Sequence, residues 1–262
     1  MSSDMAPVRA TYYSGPAGPG GSTAMLVGCE DGVDRVVKAQ GNPQGLRVLV
    51  NELVVARLAV LIEAPCPRGE IVFLPQRLIS EAFTRNQHLP NGLEGLGFGS
   101  EWIDVQQYDP GKQLCADAIN RSQLIDLIVL YLWVRNSDLK GEHLLYRTLA
   151  SGEGEVLGFD HGHTFGPNPP NWDVNVVGLA EVDHPLNRCN IHEVVLTQDL
   201  DPSLAKLLNL EDEQVMNATR SIPGEWGASS VELEHLGQYL IKSREHVVRA
   251  VRALFPAQGA QT

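Results

Sequence analysis

The sequence predicts an α+β protein of two lobes, a small strand-rich one followed by a larger, mostly helical one. Three observations point there. Two short apolar runs, around Met25–Val27 and Arg35–Ala39, flank a Gly/Asp turn and read as a hairpin. A long apolar helix pattern follows them directly. Most of the apolar residues after residue 200 then recur at helical spacing.

The opening passage YYSGPAGPGGSTAMLVG changes from a Gly/Pro-rich loop to the first strand, and the second strand ends on Lys38 and Ala39. In RVLVNELVVARLAVLIE, the residues Val50, Leu53, Val54, Leu58, Leu61 and Ile62 form an apolar stripe, which predicts a helix lying on the hairpin sheet. APCP stops it, and Ile71–Leu74 is a further strand that Pro75 ends. The first lobe is therefore expected over residues 1–75, the second over 76–255, and a frayed tail over 256–262. Residues 76–111 read as loops or short helices.

The second lobe begins in DAINRSQLIDLIVLYLWVRNSD, where Ile119, Leu124, Leu127, Ile128, Tyr131 and Leu132 suit a buried helix that stops before NSDLKGEH. LLY and VLGF, separated by the turn-prone SGEGE, predict a second hairpin with Asp138 before it and Asp160 after it. GPNPPNWDV reads as a loop. LAKLLNL, EDEQVMNAT and VELEHLGQYLIKSREHVVRAVRALF read as helices, the last long and amphipathic.

A chain of 262 residues with 43% hydrophobic and 20% charged residues can bury a substantial core. Its 20 basic and 32 acidic side chains give a net charge of -12, which opposes general attraction to nucleic acid or to an anionic membrane. No apolar run reaches the roughly 20 residues that span a bilayer, and the MSSDMAPVRA start lacks the pattern of a secretory leader. Cys29, Cys66, Cys115 and Cys189 are widely spaced, and a reducing, cytoplasmic setting is expected.

A phosphate site needs backbone donors close to the phosphates, a cation and oxygen ligands for magnesium. Gly18, Gly20, Gly21, Ser22 and Thr23 can form a close loop over phosphates, although a flexible connection has the same composition. Lys38 ends a strand and precedes the helix carrying Glu52; a surface lysine and a solvated glutamate would share that spacing. Asp138 sits in a turn beyond a helix, where its carboxylate can accept a proton from a nucleophile, and Asp160 follows a strand, where it can hold Mg²⁺. Each aspartate alone also suits a turn. His161 and His163 flank Gly162 without the separated ligand set of a structural zinc site, and His88, His184 and His192 are isolated. Trp102, Trp133, Trp172 and Trp226 are scattered without basic interleaving, as packing residues are. There is no GxxxxGK[ST] run, so a P-loop hydrolase fits poorly.

The segments GGSTAMLVG, VVKAQGNPQGLRVLVNELVVARLA, LIEAPCP, FGS, WVRNSDLKGEHLL, GFDHGHTF, IPGEW and LGQYLIKSREHVVRAV together resemble the compact, stand-alone branch of the HipA-like kinases. These are distant relatives of protein and phosphoinositide kinases. The resemblance implies a bilobal protein kinase-like fold with ATP and Mg²⁺ between the lobes. It gives Lys38 to phosphate, Glu52 to the support of Lys38, Asp138 to the catalytic position and Asp160 to metal. Gly20, Gly21 and Ser22 would lie in the nucleotide loop. The implied activity is ATP-dependent phosphoryl transfer to a hydroxyl, on a protein serine/threonine or on a small molecule.

One departure stands out. The kinase pattern places a metal-binding asparagine five residues after the catalytic aspartate, and here that residue is His143. An imidazole there can touch metal or phosphate but is a softer ligand than an amide oxygen. The alternative is a catalytically weak, nucleotide-binding regulatory protein. Ser100 of FGS falls near the implied cleft, as a turn serine, a phosphate neighbour or a phosphoacceptor.

Overall fold

The computed structural model of the chain describes residues 6–18, 23–89, 92, 94–166 and 199–255. Five strands form a small closed barrel: β1 (Val8–Pro16), β2 (Met25–Cys29), β3 (Asp34–Lys38), β4 (Gly69–Leu74) and β5 (Gly95–Glu101). Around the barrel the order is β1-β2-β3-β5-β4, and β4 closes on β1 in parallel, with Val8 opposite Val72 and Arg9 opposite Phe73. Ala10, Met25, Val27, Val37 and Val72 point inward and are fully buried.

Two features of this barrel depart from the sequence reading. The YYSGP passage is strand rather than loop. Register shifts between Ala10 and Tyr12 and between Tyr13 and Gly15 let β1 curve around the barrel, and Pro16 falls at its end, where a missing amide is tolerated. Residues 95–101 also enter the sheet, so the barrel extends beyond residue 75, the expected lobe boundary. The glycine-rich GLGFGS has little strand propensity, and its pairing with both β3 and β4 supplies what propensity does not.

Helix α1 (Arg47–Leu61) lies between the barrel and the rest of the molecule. Val48 to Ala56, Leu58 and Ala59 are all buried, so it is covered nearly all round rather than on one stripe. α2 (Gln76–Arg85) packs on the barrel through Leu78, Ile79 and Ala82. Beyond β5 come β6 (Gln107–Tyr108), α3 (Gly111–Asp117) and α4 (Leu124–Trp133). Every residue of α4 is buried, and Trp133 Nε1 donates to the Leu240 carbonyl at 2.9 Å. Ile119 lies ahead of the helix and is 50% exposed, so it is not part of the buried face expected for it.

β7 (Leu144–Thr148) and β8 (Gly154–Gly158) form the expected second hairpin, and β6 joins its edge. α5 (Asp201–Leu208), α6 (Asp212–Thr219) and α7 (Ser230–Leu254) complete the helical part. Ser229 and Glu232 make a reciprocal capping box that starts α7, as Glu211 and Gln214 do for α6. The main core runs from α1 through α4 to α5, α6 and α7, and a second cluster fills the barrel. No helix among the described residues is long and apolar enough to cross a membrane. The Gly20–Ser22 segment, residues 167–174 of the expected loop with Trp172, Cys189, His184, His192 and the tail at 256–262 lie outside the described residues.

Candidate active site

Lys38 is the last residue of β3, paired across the sheet with Phe98. Its backbone position depends on a glycine, because a Cβ on Gly97 would come within 2.7 Å of the Lys38 carbonyl. The side chain is only 7% exposed and leaves the sheet toward α1.

Glu52, in the first half of α1, meets it. Glu52 Oε1 pairs with Lys38 Nζ, and Oε2 accepts from the His161 backbone amide at 3.1 Å. Both carboxylate oxygens are thus engaged by donors from opposite halves of the chain. The neighbouring Asn51 adds a second tie, donating to the Gly162 carbonyl at 2.7 Å.

Asp160 stands at the exit of the second hairpin with φ at 59°, a left-handed conformation that aspartate tolerates better than most residues. This twist turns its carboxylate back toward β3, where Oδ1 accepts from Lys38 Nζ at 2.8 Å. The other oxygen, Oδ2, faces His143 Nε2 at 4.0 Å. The turn continues in a fixed form: Thr164 Oγ1 donates to the His161 carbonyl at 3.2 Å, and the Phe165 amide to the Val134 carbonyl at 2.9 Å.

One ammonium therefore lies between two carboxylates. Burial works against the charge on Lys38, but Glu52 and Asp160 outweigh it and hold its pKa above the ordinary value. Burial likewise opposes ionisation of Asp160, and Lys38 overcomes it, leaving the carboxyl well below the usual range. Burial pushes the Glu52 carboxyl up, against the pull of Lys38. Both histidines of the site are driven toward the neutral form by burial, His143 below its ordinary value and His161 down to about 4.

Asp138 occupies the loop between α4 and β7. The Asn136 side chain accepts from the Asp138 amide at 3.1 Å, and Ser137 donates through both amide and hydroxyl to the His163 carbonyl at 3.2 Å. The Asp138 loop and the Asp160 turn are thereby tied together. The Asp138 carboxylate is about one-third exposed and pairs with Lys140 Nζ at 2.9 Å. Five residues on, His143 is 9% exposed, lies edge-on to Phe159 and holds that residue's amide through its own carbonyl at 3.0 Å.

These groups open onto a cavity of about 470 Å³ between barrel and helical lobe. Lys38, Glu52, His143 and Asp160 line it together with Ser100, and Gly18 lies at its rim; Asp138 is not part of the lining. Val36, Phe98, Tyr108 and Phe159 give it apolar walls, with Tyr108 and Phe159 in tilted contact at 5.8 Å. A flat, apolar ligand group with an anionic extension fits such a cavity. Sequence reasoning missed Lys140, whose place two residues after Asp138 in a tight turn was the available signal. It also missed Cys66, whose sulfur lies 3.6 Å from His161 Nε2, and the aromatic wall, which assembles from three separate segments.

The strand barrel, the ion-paired helix α1 and the helical second lobe define a bilobal kinase-like fold. The chain belongs to the HipA-like kinase family, whose model matches residues 16–253. It is similar in structure to the Helicobacter pylori proinflammatory kinase CtkA, with a TM-score of 0.57 at 12% identity over 95% of this chain and 98% of that one. It is also similar to the Golgi casein kinase, with a TM-score of 0.52 at 11% identity over 97% of this chain and 73% of that one. The same kinase with Mn/ADP bound gives a TM-score of 0.50 at 12% identity over 97% and 74%. At these identities the likeness concerns the fold. No curated protein matches the chain in sequence.

Proposed function

We propose that the protein is an ATP-dependent kinase that transfers the terminal phosphoryl group to a hydroxyl, on a protein serine or threonine or on a small-molecule alcohol. The observation that carries this reading is the Lys38 ammonium held between Glu52 of α1 and Asp160 at the wall of the interlobe cavity. Phosphoryl transfer depends on positioning and charge more than on covalent chemistry, and a fixed cation beside an open cavity supplies both.

In this mechanism Val36, Phe98 and Phe159 take the base, and Lys38 binds phosphate oxygens, with Glu52 fixing its direction. Gly20, Gly21 and Ser22 lie outside the described residues; by the family resemblance they would supply backbone donors to the phosphates. Asp138 orients the acceptor hydroxyl and receives its proton, while Lys140 beside it brings a second cation to the acceptor side. Asp160 and His143 would hold a divalent ion, with magnesium the ion the fold implies. Among the described residues no three His, Cys, Asp or Glu side chains group as a metal cluster. The free Asp160 Oδ2 and the facing imidazole nevertheless fit an ion that takes its remaining ligands from phosphate and water. When bound, the ion neutralises charge on the phosphate oxygens. The thiols at Cys29, Cys66 and Cys115 are in keeping with a cytoplasmic setting.

The test follows radiolabelled terminal phosphate from ATP into protein, small-molecule and free fractions, for the intact protein and for Asp138→Asn. Transfer that disappears in the variant supports the kinase and reveals the acceptor class. A second reading, a nucleotide-binding regulator of weak activity, is favoured by His143, an imidazole at the expected metal site. Tight ATP binding without transfer to any fraction would select it.

A further inference from the structure

The environment of His143 points to the kind of metal ion the site takes, a question that rests on the kinase reading above. His143 is buried, 9% exposed, and among the described residues its Nδ1 has no hydrogen-bond partner. Nε2 faces Asp160 Oδ2 at 4.0 Å, too far for a hydrogen bond. His143 lines the cavity, and Nε2, the ring nitrogen that faces the Asp160 carboxylate, is the one placed to take a ligand there.

The Asp160 carboxylate is divided in a matching way. Lys38 occupies Oδ1 at 2.8 Å, which leaves Oδ2 turned to the imidazole. Two metal–ligand bonds of about 2.1 Å span about 4.2 Å for donors on opposite sides of an octahedral ion and about 3.0 Å for neighbouring ones, so Nε2 and Oδ2 take an ion either by parting about 0.2 Å or by closing about 1 Å. The ring has little freedom to swing away. Phe159 lies against it with centroids 6.0 Å apart, and the backbone bond from the Phe159 amide to the His143 carbonyl fixes its base.

An imidazole nitrogen paired with one carboxylate oxygen is a mixed donor set. Magnesium is hard, prefers oxygen throughout and parts with water reluctantly, whereas first-row transition ions accept imidazole readily. We infer that His143 binds the nucleotide's divalent ion directly through nitrogen, and that the site consequently prefers a first-row transition ion such as manganese(II) to magnesium.

Manganese(II) is paramagnetic, which makes the ligand visible. Electron spin-echo modulation of the Mn–ADP complex of the full-length protein should show a directly bound ¹⁴N nucleus that is lost in His143→Asn and altered by ¹⁵N-histidine labelling. With each ion saturating the nucleotide, ADP should bind the wild type about ten-fold more tightly with manganese than with magnesium, and His143→Asn should bring the two within about two-fold. Absence of nitrogen coupling, coupling that survives His143→Asn, or equal wild-type affinities with the two ions would overturn the inference while leaving the kinase reading intact. Failure of ADP to bind with either ion would overturn both. If His143→Asn does not fold, the wild-type spectrum with labelled histidine decides alone.

Discussion

Lys38 and Asp160 are 122 residues apart in sequence and meet at 2.8 Å, with Glu52 on the other side of the same ammonium. Barrel, helix α1 and second hairpin therefore converge on a single positive charge. Removing that charge leaves two carboxylates facing one another, one of them buried.

Lys38→Met should destabilise the fold by about 3 kcal/mol, since breaking a buried ion pair strands the partner's charge. Adding Glu52→Gln should recover part of that loss, because the buried one of the two stranded charges is gone. Denaturant unfolding of the single and double variants checks this. A double variant less stable than Lys38→Met would show that the stranded Glu52 charge is not what destabilises the single variant.

Lys140→Met separates function from stability. Its side chain is about half exposed and its pair with Asp138 is on the surface, so the stability change should stay within about 0.5 kcal/mol. Turnover should fall about 10²-fold if the ammonium neutralises charge on the transferred group. Unchanged phosphate transfer in steady-state kinetics would remove Lys140 from the mechanism.

Gly97→Ala should impair the site from a distance. The new methyl would stand 2.7 Å from the Lys38 carbonyl, so β3 or β5 must shift, at a cost of about 1–3 kcal/mol. Nucleotide affinity should fall together with melting temperature. Ala at this position with affinity intact would mean that the barrel absorbs the strain without moving Lys38.

Alkaline stability should depend on Cys115. Burial, with a smaller contribution from Asp109, raises its thiol from 9.0 to about 11. A group raised on folding stabilises below its unfolded pKa and loses that contribution as pH rises through the folded one. The loss should therefore fall between about pH 9 and pH 11 and amount to about 2–3 kcal/mol. Unfolding free energies measured across that window should fall less steeply in Cys115→Ala than in the wild type.

Several residues of the candidate site could be singled out because they stand at the ends of simple patterns. Lys38 closes an apolar strand, Glu52 lies on the helix that the apolar pattern marks, and Asp138 and Asp160 bracket a hairpin marked by its turn. The lobe boundary was harder to read. GLGFGS looks like a loop because glycine lacks strand propensity, and only its two neighbours, β3 and β4, make it a strand. The split use of the Glu52 and Asp160 oxygens depends on a left-handed φ at Asp160, which no periodicity encodes. The aromatic wall brings Phe98, Tyr108 and Phe159 from three elements, a juxtaposition that local spacing cannot report.

Helix α1 has a bearing on how the protein is made. Its apolar surface is shared between the barrel, of which β4 and β5 follow it in the chain, and α4 to α7, all of which are synthesised later. When the barrel leaves the ribosome, α1 has only half of its covering, and the exposed Leu49, Leu53 and Leu58 invite association with other chains until the helical lobe arrives. Barrel and helical lobe are therefore poor candidates for separate expression, and a premature stop before α7 would release an adhesive fragment rather than a smaller folded protein.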